Sequence, residues 1–276
     1  MKQAVDLSWQ SNDGLALAGY LWQPDGTPRA VIALVHGLGE HAGRYRHVAA
    51  ALNAAGYAVL AFDQRGHGRS AGKRGVIPRY DALMDDIDLL LAQVRQRFPG
   101  QHIFLYGHSL GGNEVLNYAL RRQPNLAGVV ATSPGLRTTT PPPAAQLALG
   151  KVMNRIWPAF TMPNGLELAA ISRDPAVVRA YEADPLTHDR LSAALGIGLL
   201  EAGEWALAHA AEFPVPLLLI HGDADRITAP AASTEFASRA PDSTLKLWPG
   251  LYHETHNEPE QAAVLAYTVT WLGKYS

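Results

Sequence analysis

The sequence predicts an α/β fold in which a mainly parallel, eight-stranded sheet is flanked by helices and carries an inserted helical cap. Three observations support this prediction. Short apolar segments alternate with helical segments, the alternation stops for one long interval and then resumes, and a serine between two glycines stands where a strand meets a helix. Alternating strands and helices are typical of parallel sheets with right-handed crossovers.

The predicted elements follow from hydrophobic periodicity and turn residues. Strands are predicted over residues 5–10, 15–22, 30–36, 58–62, 103–106, 128–132, 216–220 and 244–248. Helices are predicted over residues 44–55, 80–98, 113–120, 231–240 and 259–272. The first two strands flank Asn12-Asp13-Gly14, which is a strong hairpin signal.

The interval without a convincing buried strand is too long for an ordinary connection within a compact domain. An apolar stripe at helical spacing lies within it and consists of Leu149, Val152, Met153, Ile156 and Trp157. We therefore expect residues 1–133 and 213–276 to form the core and residues 134–212 to form a helical cap. The alternative is a helical subdomain without functional movement.

Composition limits the classes of function. The chain has 276 residues, 47% of them hydrophobic, which is enough for a large core. The net charge of -2 provides no basic surface, so nucleic acid is not an expected partner. Charged residues make up only 17% of the chain, against about 25% in typical soluble domains, so apolar surface that suits a lipid substrate is expected.

The chain contains no cysteine, which excludes disulfides, thiolate nucleophiles and cysteine metal sites. No apolar run follows a basic start at the N-terminus, so no signal peptide is expected. No apolar segment approaches the roughly 18 residues that a membrane-spanning helix needs. The absence of a signal peptide and of a membrane-spanning segment predicts a cytoplasmic protein.

The sequence Gly107-His108-Ser109-Leu110-Gly111 lies between a predicted strand and a predicted helix. A serine in this setting is the nucleophile elbow of the α/β-hydrolase fold, and the glycines permit the tight turn. The serine hydroxyl then stands at a helix N-terminus, where negative charge is favoured. A chance pattern in a loop is the alternative, but the flanking strand and helix argue against it.

A serine nucleophile requires a histidine base oriented by a carboxylate, and in this fold the acid precedes the histidine in the chain. His253 follows the last predicted strand and is the predicted base, with His256 as its competitor. The acid is Asp223 or Asp225, which both follow the preceding strand. Spacing alone does not choose between them, and the other one would be a turn aspartate.

Two backbone N–H groups are needed to stabilise the oxyanion of the tetrahedral intermediate. One is expected from Leu110, directly after the nucleophile. The other is expected from Leu38, because the glycines on either side of it let the loop after the third strand turn inward.

Several segments resemble those of the monoacylglycerol lipase family. They cover residues 36–45, 63–70, 107–111, 179–185, 222–226 and 252–256, and thus both the core and the cap. The resemblance implies that Asp225 is the acid, that Asp223 is a turn residue and that His253 is the base. One departure is Leu110, where the family often has methionine, but the backbone N–H is the group that matters there.

The resemblance also implies hydrolysis of monoacylglycerols to fatty acid and glycerol through an acyl-enzyme. It implies a polar site for the glycerol head group around Glu40, Arg44, His108, Tyr181 and His256. Each of these side chains could instead form a salt bridge or order a loop. The expected partners are a small lipid ester and, through transient contact of the cap, a membrane or micelle surface, with the chain acting as a monomer or homodimer.

Other functions remain open at this stage. A lysophospholipase, a broad carboxylesterase or, less favoured, a proline iminopeptidase-type peptidase would use the same triad. A ligand-binding receptor on the same fold would be expected to have lost it. No cofactor or metal is predicted, because His253-Glu254-Thr255-His256 lacks the zinc-protease spacing and Gly37-Leu38-Gly39 lacks a third glycine for nucleotide binding.

Overall fold

A single eight-stranded sheet dominates the computed structural model, which describes residues 4–276. The strands in these residues are β1 (Val5–Gln10), β2 (Ala16–Trp22), β3 (Val31–Val35), β4 (Ala58–Phe62), β5 (Ile103–His108), β6 (Gly128–Thr132), β7 (Thr161–Pro163), β8 (Arg190–Ser192), β9 (Leu217–Gly222) and β10 (Ser243–Trp248). The sheet order is β1-β2-β4-β3-β5-β6-β9-β10. Among the described residues, only β2 runs antiparallel to the other strands of this sheet. The predicted mainly parallel sheet is confirmed.

Helices connect the parallel strands and cover both faces of the sheet. They are α1 (Arg46–Ala54), α2 (Asp81–Arg97), α3 (Leu110–Arg122), α4 (Ala144–Ile156), α5 (Pro175–Ala183), α6 (Ala193–Ala208), α7 (Pro230–Arg239) and α8 (Gln261–Leu272). Side chains of α1 and α8 pack in one core layer, and those of α2, α3 and α7 pack in the other. Every residue of β3, β4 and β6 is buried, as expected for strands covered on both faces.

Two predicted helices begin at different residues in the structure. The helix expected from residue 44 starts as a 3-10 turn, Ala42–Tyr45, and becomes α-helical at Arg46. Helix α3 begins at Leu110, three residues earlier than its apolar pattern suggested. The sharp turn at Ser109 leads directly into the helix, so the glycines that follow are already helical.

The predicted cap, residues 134–212, contains α4, α5, α6 and the two-stranded antiparallel pair β7–β8. Helix α6 is bound tightly to the core, because Asn113 Nδ2 donates to Leu199 O at 3.3 Å and Asn117 Nδ2 donates to Ala202 O at 3.2 Å. Helix α4 contacts α6 and has no buried residue.

The apolar stripe on α4 therefore faces solvent to a large extent. Leu149 is 60% exposed, Val152 54%, Ile156 70% and Trp157 56%. Met153 turns inward and lines a cavity beneath the helix. Within the described residues, no helix has both the length and the apolar character that a membrane crossing requires.

Candidate active site

The predicted site residues gather at the carboxyl ends of the parallel strands. Ser109 follows β5, Asp225 follows β9 and His253 follows β10. The loop of residues 36–41, which carries Leu38, follows β3. Parallel strands end at one edge of the sheet, so residues far apart in sequence meet there, as is usual for α/β folds.

The turn at Ser109 is strained and tightly enclosed. Its φ of 54° lies in the left-handed region, which costs a non-glycine residue about 1–3 kcal/mol. A Cβ at Gly107 would lie 2.2 Å from Gly111 O, and a Cβ at Gly111 would lie 2.3 Å from Val35 O. The predicted need for glycine at both positions thus comes from backbone atoms that pass too close for any side chain.

His253 bridges the nucleophile and the acid. Its Nε2 lies 2.9 Å from Ser109 Oγ, and its Nδ1 lies 2.7 Å from Asp225 Oδ2. The carboxylate can only accept a hydrogen bond, so Nδ1 carries the proton and Nε2 is free to accept from the serine hydroxyl. Asp223 is exposed and accepts instead from Gly250 N at 2.6 Å.

Asp225 is buried and receives hydrogen bonds at both of its oxygens. Oδ2 also accepts from His221 Nε2 at 3.0 Å and from Thr228 Oγ1 at 2.9 Å, and Oδ1 accepts from Ile227 N at 2.7 Å. Burial alone would raise the pKa of Asp225, but the charge of His253 and the hydrogen bond from His221 outweigh it and hold the pKa well below its usual range. The carboxylate is therefore charged over the whole pH range in which His253 acts as the base.

The three histidines nearest the nucleophile have different pKa shifts. Burial would lower the pKa of His253, but the charge and hydrogen bond of Asp225 outweigh it and raise the pKa. Burial, reinforced by His253, lowers the pKa of His108 to about 4. Burial, reinforced by His108, also holds the pKa of His256 well below its usual range. His253 is the one of the three that is expected to titrate at or above the ordinary histidine range.

We predict that kcat/KM for a soluble ester will fall on acidification as a single proton binds to His253. Nucleophilic attack requires neutral His253, so the midpoint should lie above the ordinary histidine pKa of about 6.5 because the pKa is raised. The measurement is the pH profile of kcat/KM for wild type and for the exposed-site control Asp223→Asn, which should share one midpoint. An acid limb centred near pH 4, the range of His108, would contradict the assignment.

The loop of residues 36–41 passes directly beside the nucleophile. A Cβ at Gly37 would lie 3.2 Å from Ser109 Cβ, and Gly37 N donates to Glu40 Oε1 at 2.6 Å. Leu38 lines the same cavity as Ser109. The two predicted N–H donors, those of Leu38 and Leu110, thus belong to segments that flank the serine.

The cavity at Ser109 is small, with a volume of about 20 Å³, which is room for about one water. Its walls combine polar side chains with Leu38, Leu166, Ile171 and Ile227. Three of the five predicted head-group residues, Glu40, His108 and Tyr181, line it together with Glu254. Arg44 and His256 do not line it.

Arg44 lies behind this wall and joins two of its carboxylates. Its Nη1 lies 2.6 Å from Glu40 Oε2, and its two terminal nitrogens bind Glu254 at 2.7 Å each. Burial alone would raise the pKa of Glu40, but the charge of Arg44 outweighs it and lowers the pKa. Sequence reasoning did not assign Glu254 a role, and its only signal was its position next to His253.

His256 lies in a group of stacked rings behind His108. Its ring is 4.9 Å from that of Tyr45 and 4.7 Å from that of His108. Neither of its ring nitrogens has a hydrogen-bond partner among the described residues. Within the same residues, no three side chains of the metal-binding types are arranged to hold a metal ion.

A second, larger cavity lies under α4 and has a volume of about 260 Å³. Its walls are mostly apolar and come from α4, α6 and the β7–β8 pair, including Met153, Phe160, Ile197 and Leu199. Its apolar lining fits a hydrocarbon chain better than a polar group.

Comparisons with known proteins find relatives that match most of the chain. A family model described as serine aminopeptidase, S33, matches residues 26–260. The chain is 38% identical to the monoacylglycerol lipase of Mycolicibacterium smegmatis over 94% of this chain and 93% of that protein. It is 37% identical to an uncharacterized abhydrolase domain-containing protein of Dictyostelium discoideum, of which it spans 28%.

Solved structures give the same result for the fold. The crystal structure of the Paleococcus ferrophilus monoacylglycerol lipase superposes with a TM-score of 0.86 at 39% identity. The match covers 94% of this chain and 99% of that one. The similarity therefore includes the predicted cap as well as the sheet.

Proposed function

The chain belongs to the serine aminopeptidase S33 family of α/β-hydrolases, and from this premise we propose that it is a carboxylic ester hydrolase that cleaves monoacylglycerols. The products are a free fatty acid and glycerol. The observation that carries the proposal is the bridge of His253 between Ser109 Oγ and Asp225 Oδ2, which activates the serine as a nucleophile.

Acylation begins when His253 Nε2 takes the proton of Ser109 and Oγ attacks the ester carbonyl. The N–H groups of Leu38 and Leu110 donate to the oxyanion, and each is worth about 3 kcal/mol. Asp225 stabilises the imidazolium that forms. His253 then returns the proton to the glycerol oxygen, the C–O bond breaks and the acyl group stays on Ser109.

Deacylation runs these steps in reverse, with water in place of glycerol. His253 takes a proton from the water, the hydroxide attacks the acyl carbonyl and Ser109 leaves with the proton. The cavity at Ser109 has room for about one water, which is the nucleophile of this step.

The wall of the catalytic cavity favours a neutral alcohol as leaving group. Glu40 and Glu254 bring two carboxylates to it against the single positive charge of Arg44. His108 Nδ1 lies 3.2 Å from Thr132 O, which can only accept, so His108 Nε2 is left as a further acceptor. Glycerol offers hydroxyl donors to these acceptors, whereas the phosphate of a lysophospholipid adds negative charge beside them.

A single substrate panel tests this function. It compares monoacylglycerols of several chain lengths with a diacylglycerol, a lysophospholipid, a methyl ester and a prolyl amide. We expect the highest kcat/KM for a monoacylglycerol. Preference for the lysophospholipid would indicate a lysophospholipase, cleavage of the amide alone would indicate a peptidase, and binding without turnover would indicate a receptor.

We propose that the acyl chain binds in the apolar cavity under α4. We also propose that the exposed apolar stripe on that helix contacts lipid surfaces. Four apolar side chains of α4 and its end are more than half exposed, and Lys151 and Arg155, which are also exposed, lie on the opposite face of the helix. Such a surface suits peripheral binding of a cytoplasmic protein to anionic lipid.

We predict that replacing both Ile156 and Trp157 with serine will weaken binding to anionic vesicles about tenfold, because two apolar side chains that would enter the lipid surface are lost. Neither side chain lines the apolar cavity, so turnover of a short, monomeric ester should not change. Co-sedimentation with vesicles measures binding, and Val5→Ser, which removes an apolar side chain of β1 that is also more than half exposed, is the control. Equal binding by all three proteins would contradict the proposed contact.

A further inference from the structure

The loop that carries Leu38 is held by residues of the predicted cap. Gly39 O accepts from Tyr181 Oη at 2.9 Å and from His188 N at 2.9 Å. Two residues further on, His41 Nε2 lies 2.9 Å from Asp184 Oδ2. We call Tyr181, Asp184 and His188 the cap tether.

The cap tether packs directly against the loop at Gly39. Gly39 has a φ of 76°, and a Cβ there would lie 2.4 Å from His188 O and 2.9 Å from Tyr181 Oη. His188 N and Tyr181 Oη approach the same carbonyl oxygen, so both of its acceptor positions are used. The orientation of the Gly39 peptide is therefore fixed by residues outside its own loop.

Leu38 lies between two anchored neighbours. On one side, Gly37 N is bound by Glu40 Oε1 at 2.6 Å. On the other, Gly39 O is bound by the tether. An N–H that is fixed on both sides is preorganised for the oxyanion, which is the condition under which such donors contribute most to catalysis.

Tyr181 is itself fixed in place. It is buried at the end of α5, and the Arg44 guanidinium lies 4.8 Å from its ring centre. Its hydroxyl proton is used in the bond to Gly39 O. The side chain lines the catalytic cavity, but its donor is directed to the backbone of the loop.

We propose that Tyr181 is a positioning residue for the oxyanion hole, which holds the Leu38 N–H towards the reacting carbonyl through Gly39 O. The proposal rests on the proposed ester hydrolysis but not on glycerol as the leaving group. If the proposal is correct, loss of the Tyr181 hydroxyl slows the reaction of every ester equally. If Tyr181 instead bound the glycerol group of the substrate, the loss would affect glycerol esters alone.

The test is Tyr181→Phe, which removes the hydroxyl and keeps the ring. Kinetics are measured on a monoacylglycerol and on the methyl ester of the same fatty acid. We expect kcat to fall about tenfold for both esters by the same factor, with KM little changed, because the loss occurs in the transition state. A loss confined to the monoacylglycerol, or seen only in KM, would overturn the proposal, as would unchanged kcat on both esters.

An inhibitor measurement separates positioning from a general structural defect. A trifluoromethyl ketone with the same acyl chain forms a tetrahedral adduct with Ser109, and its oxygen needs the oxyanion hole. Its Ki should rise in Tyr181→Phe by the factor that kcat/KM falls. The Kd of the non-reactive alkane of the same chain length should stay constant, and an equal change in both constants would contradict the proposal.

Two further variants complete the design. Tyr57→Phe removes one hydroxyl hydrogen bond, to Ser276, at the opposite end of the sheet and should leave all constants unchanged. Asp184→Asn weakens the contact between the tether and His41 without touching the cavity, and it should lower kcat on both esters by one smaller, equal factor. If wild type cleaves the methyl ester but not the monoacylglycerol, the proposed substrate is wrong and these measurements still test the tether.

Discussion

Replacing Ser109 with alanine is expected to reduce kcat for ester hydrolysis roughly a million-fold, the scale seen when a serine nucleophile is removed. Alanine keeps the Cβ and the strained backbone of the turn but has no oxygen for His253 to activate. The free energy of unfolding should change little, because the hydroxyl contributes one hydrogen bond at the cavity wall. Steady-state kinetics and urea unfolding measure the two quantities.

A matched control for this variant is Ser238→Ala, which removes an exposed hydroxyl at the end of α7. Both variants should unfold like wild type, and only Ser238→Ala should retain turnover and covalent labelling by a fluorophosphonate. Substantial esterase activity in Ser109→Ala would show that another residue is the nucleophile and would refute the proposed mechanism.

Replacing Asp225 with asparagine is expected to reduce kcat about ten-thousand-fold, as for a triad aspartate elsewhere. The carboxylate oxygen that accepts from His253, His221 and Thr228 would become either a neutral acceptor or an NH₂ group facing other donors. His253 would then lose the partner that fixes its tautomer and stabilises its charged form. The change should appear in kcat, with a smaller effect on KM.

Asp223→Asn is the natural comparison, because the two aspartates share one turn and differ in surroundings. Asp223 is exposed and bonds the backbone of Gly250, which an asparagine oxygen can also do. We expect its kcat to stay close to that of wild type, because this exposed side chain contacts neither His253 nor Ser109. A larger loss in Asp223→Asn than in Asp225→Asn would reverse the assignment of the acid.

The sequence pattern predicted the sheet and the turn at Ser109 because both depend on local features. Buried parallel strands are continuous apolar runs, and an elbow requires glycine at fixed offsets from the serine. Spacing did not choose between Asp223 and Asp225, since two residues in one turn differ only in where their side chains point. The resemblance favoured Asp225, and the structure places that residue against His253.

Other features of the site depend on contacts that no local pattern encodes. Arg44 binds Glu254, which is 210 residues away in sequence, and His221, near the end of β9, binds Asp225. Neither residue type nor spacing distinguishes such partners from ordinary polar side chains. Similarly, the stripe on α4 predicted a helix, but a periodic apolar face does not reveal whether it will meet protein, solvent or lipid.

The left-handed backbone at Ser109 sets stability and reactivity against each other at one residue. The substitution Ser109→Gly would release about 1–3 kcal/mol of strain against about 0.5–1 kcal/mol for the entropy that glycine loses on folding, and would make the protein harder to unfold. That amount is a large share of the net stability of a typical domain. A population of variants screened only for heat resistance should therefore accumulate inactive proteins that carry Ser109→Gly, so any such screen of this enzyme has to score turnover as well.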